Sequence, residues 1–294
     1  MPGYPVPDIA TLRAICHSGK LATDRRPVYV LTRRVSIYLT WLLLHTGIRP
    51  NQVTMVTVAL GVTGSALLSL PGPGWAIAGA LVLLAHHLVD KVDGDIARFR
   101  KIYSIIGVYL DELGHGLAFA GIFVGLGLHL AWGAEGAWRI GVLAAAAVGA
   151  VAMVLGRHHK SIGFQLYAQH VLAHPELRPR EEEKRPWTAL SREATHQDRG
   201  GAGGRRSGIA RLRDAVLQLS DFSLMVLLVL AGALVELWTG RDSLLRATLI
   251  AEAALQSAVL TALVAVNVAV NVESEVRRLD RMARAGDGNP TDTP

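Results

Sequence analysis

Cysteine is nearly absent: Cys16 is the only one in 294 residues, so no internal disulfide can form and nothing points to an oxidising compartment. Charge is scarce as well. Only 18% of residues are Asp, Glu, Lys or Arg, while 51% are hydrophobic, and the mean hydropathy is +0.32. That balance is unusual for a water-soluble domain and ordinary for a chain that crosses a bilayer several times. The first residues lack the short apolar core of a secretory signal. Met1–Asp24 is polar and proline-containing, and no signal peptide is expected there. No internal repeat is found. The net charge of +6 would suit a nucleic-acid partner, but the placement of the basic residues argues for another cause.

Long apolar runs are what the chain has instead. A membrane span takes about 20 mostly apolar residues, because the hydrocarbon core is roughly 30 Å thick. Six runs qualify: Val53–Leu70, Trp75–Val89, Leu113–Gly133, Ile140–Gly156, Phe222–Thr239 and Ala247–Val272. The second is short unless its helix continues through an acidic stretch to about Arg98. Breakers separate most of them, among them "PGPGW", "WGAEGAW" and "TGRDS". Of the 30 Lys and Arg residues, 27 fall in the two terminal segments, the 90–101 stretch and the 157–214 loop; the other side has only Arg139, Arg241 and Arg246. The positive-inside rule therefore predicts both termini and the acidic stretch in the cytoplasm of a cytoplasmic-membrane protein. The basic balance follows from topology, and no nucleic-acid partner is expected.

The expected fold is all-α: an integral membrane bundle of six transmembrane helices, preceded by an interfacial amphipathic helix in Val28–Pro50. A 13-residue first span at Val35–Gly47 is the alternative for that segment, and it is too short to cross. The expected organisation is a cytoplasmic segment at 1–27, a membrane domain at 28–272 and a cytoplasmic tail at 273–294. A 157–214 insert, with "PREEEKRP" and "RGGAGGRRSG", has the composition of a linker.

Between the second and third runs lies "DKVDGDIARFRKIYSIIGVYLDELGH", Asp90–His115, with five acidic residues. Asp90 and Asp93 are three apart and share a helix face; Asp111 and His115 are four apart on the next helix. Two antiparallel helices would bring all four to one end of the bundle. Carboxylates at a membrane interface are costly and mark function by default. Gathered together they call for a cation, and an oxygen-rich site suits Mg²⁺ or Mn²⁺, with substrate phosphate completing the shell. Gly94 and Ala97 continue the acidic face with almost no side chain, leaving room for a bulky ligand. A solvated charged turn between two spans is the alternative reading. A calcium loop is excluded, because Lys101 stands twelfth from Asp90 where a Glu is needed.

The pattern Asp90-x-x-Asp93-Gly94-x-x-Ala97-Arg98, eight residues, Gly107-x-x-x-Asp111-x-x-x-His115 resembles the signature of the CDP-alcohol phosphotransferase family. "RPNQVT", Arg49–Thr54, is similar to the Pro-Asn-x-x-Thr segment that opens that family's first span. The resemblance covers about Val28–Val272, without the long basic loop. It implies a phospholipid-synthesis transferase of the membrane that moves a substituted phosphate from a CDP-linked donor to an alcohol and releases CMP. The implied donor is CDP-diacylglycerol; a CDP-linked polar alcohol given to a lipid alcohol is the reverse arrangement. Two divalent ions, Mg²⁺ or Mn²⁺, would be held by Asp90, Asp93 and Asp111. Asn51, Thr54, Gly94, Ala97, Arg98 and Gly107 would complete the donor site.

The departure from that signature is His115, where the family has its last Asp, the proposed base. Imidazole has an unperturbed pKa of about 6.5 against about 3.9 for Asp, and can serve as base or as metal ligand. A non-catalytic relative and an intramembrane prenyltransferase are the rival readings. Gly94, Ala97, Arg98 and Gly107 favour the CDP-dependent one.

Smaller features complete the reading. Arg157 and Lys160, at the end of the fourth run, are candidates for binding an acceptor phosphate, with positive-inside flanking as the plainer account. His86 is one turn before Asp90, either beside the site or hydrogen-bonded within the helices. Asn267 and Asn271 suit inter-helix hydrogen bonding. Gly121-x-x-x-Gly125 permits close helix packing, in the bundle or in a homodimer.

Overall fold

The structure is a computed structural model that describes residues 6–17, 27–102, 104–173 and 221–270. Among these every element is an α-helix: α1 (Ile9–His17), α2 (Pro27–Leu44), α3 (Pro50–Leu68), α4 (Pro73–Arg100), α5 (Ile105–Trp132), α6 (Gly136–Ala173), α7 (Phe222–Thr239) and α8 (Ser243–Val270). Six of them, α3 to α8, are long and apolar enough to cross a membrane. The protein is an all-α integral membrane bundle, as the sequence leads one to expect.

Local chemistry sets most helix ends. Pro50 starts α3 and Pro73 starts α4, where a missing N–H costs nothing. The main-chain N–H of Arg49 donates to Gln52 Oε1 at 2.9 Å. Helix α4 runs 28 residues, about 42 Å at 1.5 Å per residue, longer than the roughly 30 Å hydrocarbon core. The helix thus runs on through the acids, past Val89 to Arg100. Lys101 ends the helix in the left-handed conformation, φ 53°, with Ile102 N–H donating to Ala97 O at 3.0 Å. Ser104 then caps α5, its Oγ accepting from Gly107 N–H at 3.2 Å. Asp221 caps α7 in the same way, accepting from Ser223 N–H at 2.8 Å.

The chain divides into two compact units. The first, Met1–Val154 with Ala215–Ser257, has a core in which Leu68, Leu83, Ile122, Phe123, Leu126, Met225, Leu245 and Leu249 are fully buried. Helices α3 and α4 approach with backbone nearly touching: a Cβ at Gly79 would lie 2.7 Å from Gly64 O. His129 ties α5 to α7 through Glu236 Oε2, 3.0 Å from its Nε2. Gly121 and Gly125 both face Ser65, so this glycine pair packs α5 on α3 within the chain, which accounts for it without a second copy.

A smaller core joins the N-terminal helices to the end of α4: Leu12, Cys16, Ile37, Leu44, Val53, Val92 and Ile96. Arg100 donates to Ile48 O and, at 3.4 Å, to Leu44 O, placing a cation at the end of α2. Helix α2 leaves Leu31, Val35, Tyr38 and Leu42 exposed. Their spacing of four, three and four forms one apolar stripe, as an interfacial helix requires. Helix α1 was not expected; the 1–27 segment contributes it to the same unit as the bundle.

In the second unit, Leu155–Asp214 with Ala258–Pro294, the described residues are the helical stretches 155–173 and 258–270. The insert expected from residue 157 thus begins as helix. Nothing in Arg157–Ala173 stops an α-helix until Pro175 approaches, and α6 ends two residues before it. The linker-like sequence beyond Ala173 and Asn271 lie outside the described residues, as does the side chain of Asn267.

Candidate active site

The acidic motif occupies the last three turns of α4 and the first three of α5. Those helices run antiparallel across the short 101–104 connection, so both acid-bearing ends meet. A cavity opens there. Its walls are Pro50, Asn51 and Thr54 of α3, Asp93, Gly94 and Ala97 of α4, Ile102 and Ser104 of the connection, and Gly107, Val108 and Asp111 of α5.

Each wall is fixed by a specific contact. Thr54 Oγ1 donates to Asp93 Oδ2 at 2.7 Å, and Gly94 N–H reaches the other oxygen at 2.5 Å. Asp93 is thereby buried with both oxygens held. Asn51 Nδ2 donates to Ser104 Oγ at 3.2 Å, clamping the start of α5 against α3. Gly107 packs against that clamp: a Cβ there would be 2.7 Å from Asn51 Oδ1. The Pro-Asn-x-x-Thr segment is therefore a set of struts. Pro50 starts the helix, Asn51 holds α5, and Thr54 holds the Asp of α4.

Asp90, Asp111 and His115 form a second group that shares Asp111 with the cavity. Each offers one ligand atom, and the three lie within 4.8 Å of one another. His115 Nε2 is 3.1 Å from Asp90 Oδ1. Its Nδ1 is 2.8 Å from Asp111 O and 3.3 Å from Asp111 Oδ1. A main-chain carbonyl only accepts, so Nδ1 carries a proton and donates it. Nε2 then faces a carboxylate, and two acceptors at that distance need a proton or a metal ion between them. Six-coordinate Mg²⁺ holds its ligands from ~3 to ~4.2 Å apart. Two carboxylates and one imidazole at this spacing fit a divalent cation after small side-chain rotations. Asp93, whose oxygens are taken by Thr54 and Gly94, is not in this trio; it meets Asp111 across the cavity.

Other expected residues take different places. Arg98 turns its guanidinium to Asp95 Oδ1 and is not among the cavity-lining residues. A Cβ built on Gly94 would nevertheless be 3.2 Å from Arg98 Nη1, so the guanidinium backs the cavity wall. His86 is a buried helix histidine, its Nδ1 2.9 Å from Thr57 O, with its ring 6.3 Å from that of His115. Phe119 stacks on Phe222 at 4.3 Å and meets His115 edge-on at 5.4 Å, sealing the imidazole's inner side. Arg157 lies on α6 within the second unit, and the side chain of Lys160 is outside the described residues.

Several contributors escaped the sequence reading. Lys91 Nζ stands 2.5 Å from Asp90 Oδ2. Ser104 links Asn51 to the α5 cap. Ser104 had a usable signal, a Ser just before an apolar helical run. Asp95 is wholly buried, and His17 of α1 meets it at 3.0 Å. A contact between residues 78 apart leaves no local trace.

A model of the CDP-alcohol phosphatidyltransferase family matches residues 47–173. Similar curated proteins include a bifunctional IPC transferase and DIPP synthase of Thermococcus kodakarensis, 36% identical over 85 residues, 28% of this chain and 18% of that protein. The bifunctional IPC transferase and DIPP synthase of Rubrobacter xylanophilus is 36% identical over 93 residues, 30% of this chain and 21% of its own length. The inner membrane protein YnjF of Escherichia coli K12 is 38% identical over 65 residues, 22% of this chain and 30% of its own. The chain thus spans less than a third of the length of each of these relatives.

Proposed function

We propose, from the premise that residues 47–173 form a CDP-alcohol phosphatidyltransferase domain, that this chain is a membrane transferase that cleaves a CDP-linked lipid and passes its lipid-bearing phosphate to an alcohol. The observation that carries this reading is the cavity where Asp93 and Asp111 face each other beside the Asp90–His115 pair. In the reaction the acceptor oxygen forms a bond to the lipid-bearing phosphorus. The bridging P–O bond of the pyrophosphate breaks, and CMP leaves with that electron pair.

Asp90, Asp93 and Asp111 would hold Mg²⁺ or Mn²⁺, and two such ions suit a pyrophosphate donor. Bound there, the metal supplies charge neutralisation of the pyrophosphate and of the departing CMP. The chain's own residues do the rest. Thr54 and the Gly94 N–H hold the two Asp93 oxygens and keep them aimed. Gly94, Ala97 and Gly107 keep the cavity open to a nucleotide. The Asp90–His115 pair holds the proton released by the acceptor hydroxyl, with Nδ1 fixed on Asp111 O so that Nε2 is the receiving atom.

A lipid on the CDP-bearing side is favoured by the apolar edge of the cavity. Ile102 and Val108 line it, and Ile105, Ile106 and Tyr109 continue it as exposed residues. CDP-diacylglycerol is the donor of choice on this ground, and the acceptor is a small polar alcohol or its phosphate. The site faces the cytoplasm, supported by the 27-to-3 division of Lys and Arg. The test is substrate consumption by the purified protein in lipid. CDP-diacylglycerol with a mixture of polar alcohols should yield CMP and a new phospholipid. Consumption of a prenyl diphosphate instead, with no CMP from any CDP-linked donor, would reject the reading.

A further inference from the structure

Behind the donor cavity lies a buried polar chain that starts in helix α1. His17 is 3% exposed, and its Nε2 is 3.0 Å from Asp95 Oδ2. Asp95 is 0% exposed. Its other oxygen accepts from Arg98 Nη2, and its main-chain oxygen accepts from Cys16 Sγ at 3.4 Å. The guanidinium held in this way rests on Gly94, where a Cβ would meet Nη1 at 3.2 Å and Nη2 at 3.4 Å. Gly94 is a wall of the cavity and follows Asp93 directly.

A buried carboxylate and an arginine in contact with it are costly unless their hydrogen bonds are met. His17 meets one that no other described side chain supplies. Arginine also carries about 2 kcal/mol of rotamer entropy, and a guanidinium fixed beforehand spares that cost when a ligand binds.

We propose that His17 is a positioning residue of the donor site: through Asp95 it fixes Arg98 against Gly94, so that helix α1 forms part of the structure that binds the CDP moiety. This rests on the cavity being the site of a CDP-linked donor. The role belongs to binding and not to bond-breaking, since His17 touches neither the cavity nor the Asp90–Asp111–His115 group.

The experiment measures CMP release against donor concentration, at saturating acceptor and Mg²⁺, for wild type, His17→Ala, His17→Gln and Leu12→Ala. Loss of a charge-assisted hydrogen bond should raise the donor KM of His17→Ala about tenfold or more, with the saturated rate within about twofold of wild type. His17→Gln, whose amide can donate to Asp95, should recover most of the loss. Leu12→Ala trims the apolar contact of the same helix; it should lower thermal stability and leave the donor KM near wild type. Alkylation of Cys16, the single cysteine, gives a second readout on the intact chain. CDP with Mg²⁺ should slow it in wild type and not in His17→Ala, because coupling between two sites is reciprocal. An active wild type with the same donor KM in His17→Ala, or an equal rise in Leu12→Ala, overturns the role. A wild type that releases no CMP defeats the functional reading instead, and alkylation indifferent to nucleotide then defeats the positioning role on its own evidence.

Discussion

Asp93 owes its setting to one hydroxyl. Thr54 donates to it at 2.7 Å from a neighbouring helix, and a carboxylate so buried is sensitive to losing a donor. Thr54→Val keeps the shape and removes the bond; the expected result is a fall in CMP release of about tenfold with the bundle still folded. For His115 the expectation is larger. If the Asp90–His115 pair receives the proton, His115→Ala should slow the saturated rate by about 10²–10⁴ while the donor still binds. His115→Asp should restore part of the rate and move the acid limb of the pH profile to lower pH, since a carboxylate gives up its proton at lower pH than imidazole does. An alanine variant whose main defect is metal affinity would assign His115 to ligation. At this scale the sequence revealed the acids because three- and four-residue spacings are local. Asp95 and Arg98 are three apart as well, so that pairing was equally local; what left no trace was His17, which completes the set from a helix far back in the chain.

Helices α4 and α5 carry the site, and their meeting depends on side chains that are missing. At Gly107 a Cβ would strike Asn51 Oδ1 at 2.7 Å. Gly107→Ala should therefore loosen the Asn51–Ser104 clamp and lower both stability and rate. At Gly94 the nearest atoms are side-chain atoms of Arg98, at 3.2 and 3.4 Å, and no neighbouring backbone, so a side chain there meets less resistance from the fold than from a ligand in the cavity. Gly94→Leu should raise the donor KM sharply while moving the melting temperature little, as checked by steady-state kinetics beside thermal unfolding; unchanged donor affinity would place the pocket elsewhere. The apolar centres of the six spans were plain in the sequence, and their ends were not. The fourth expected span stops at Gly156, before Arg157, whereas α6 continues to Ala173; for the second, a run-on to about Arg98 is expected and α4 ends at Arg100. Charge does not break a helix; it moves it out of the hydrocarbon. Helix α1 was missed for the opposite reason: nine residues are far too few for a span and resemble a tail until the groups they cover are known.

Across the whole molecule, the proposed orientation, with the cavity on the cytoplasmic side, rests on the 27-to-3 partition of Lys and Arg. In a Cys16→Ser background, a cysteine at Gly203 should resist an impermeant thiol reagent in intact cells, and one at Arg241 should react. The reverse pattern would overturn the topology. The cavity of Asp93 and Asp111, with the Asp90–His115 pair, is proposed to be a metal-dependent centre for releasing CMP from a CDP-linked lipid. The most direct test is CMP release from CDP-diacylglycerol as a function of Mg²⁺ and Mn²⁺ concentration, for wild type and Asp93→Asn. Release should stop after chelation, return saturably with either ion, and not return in the variant although it stays folded; full release by a metal-free preparation, or by Asp93→Asn, would rule out a metal centre at this cavity.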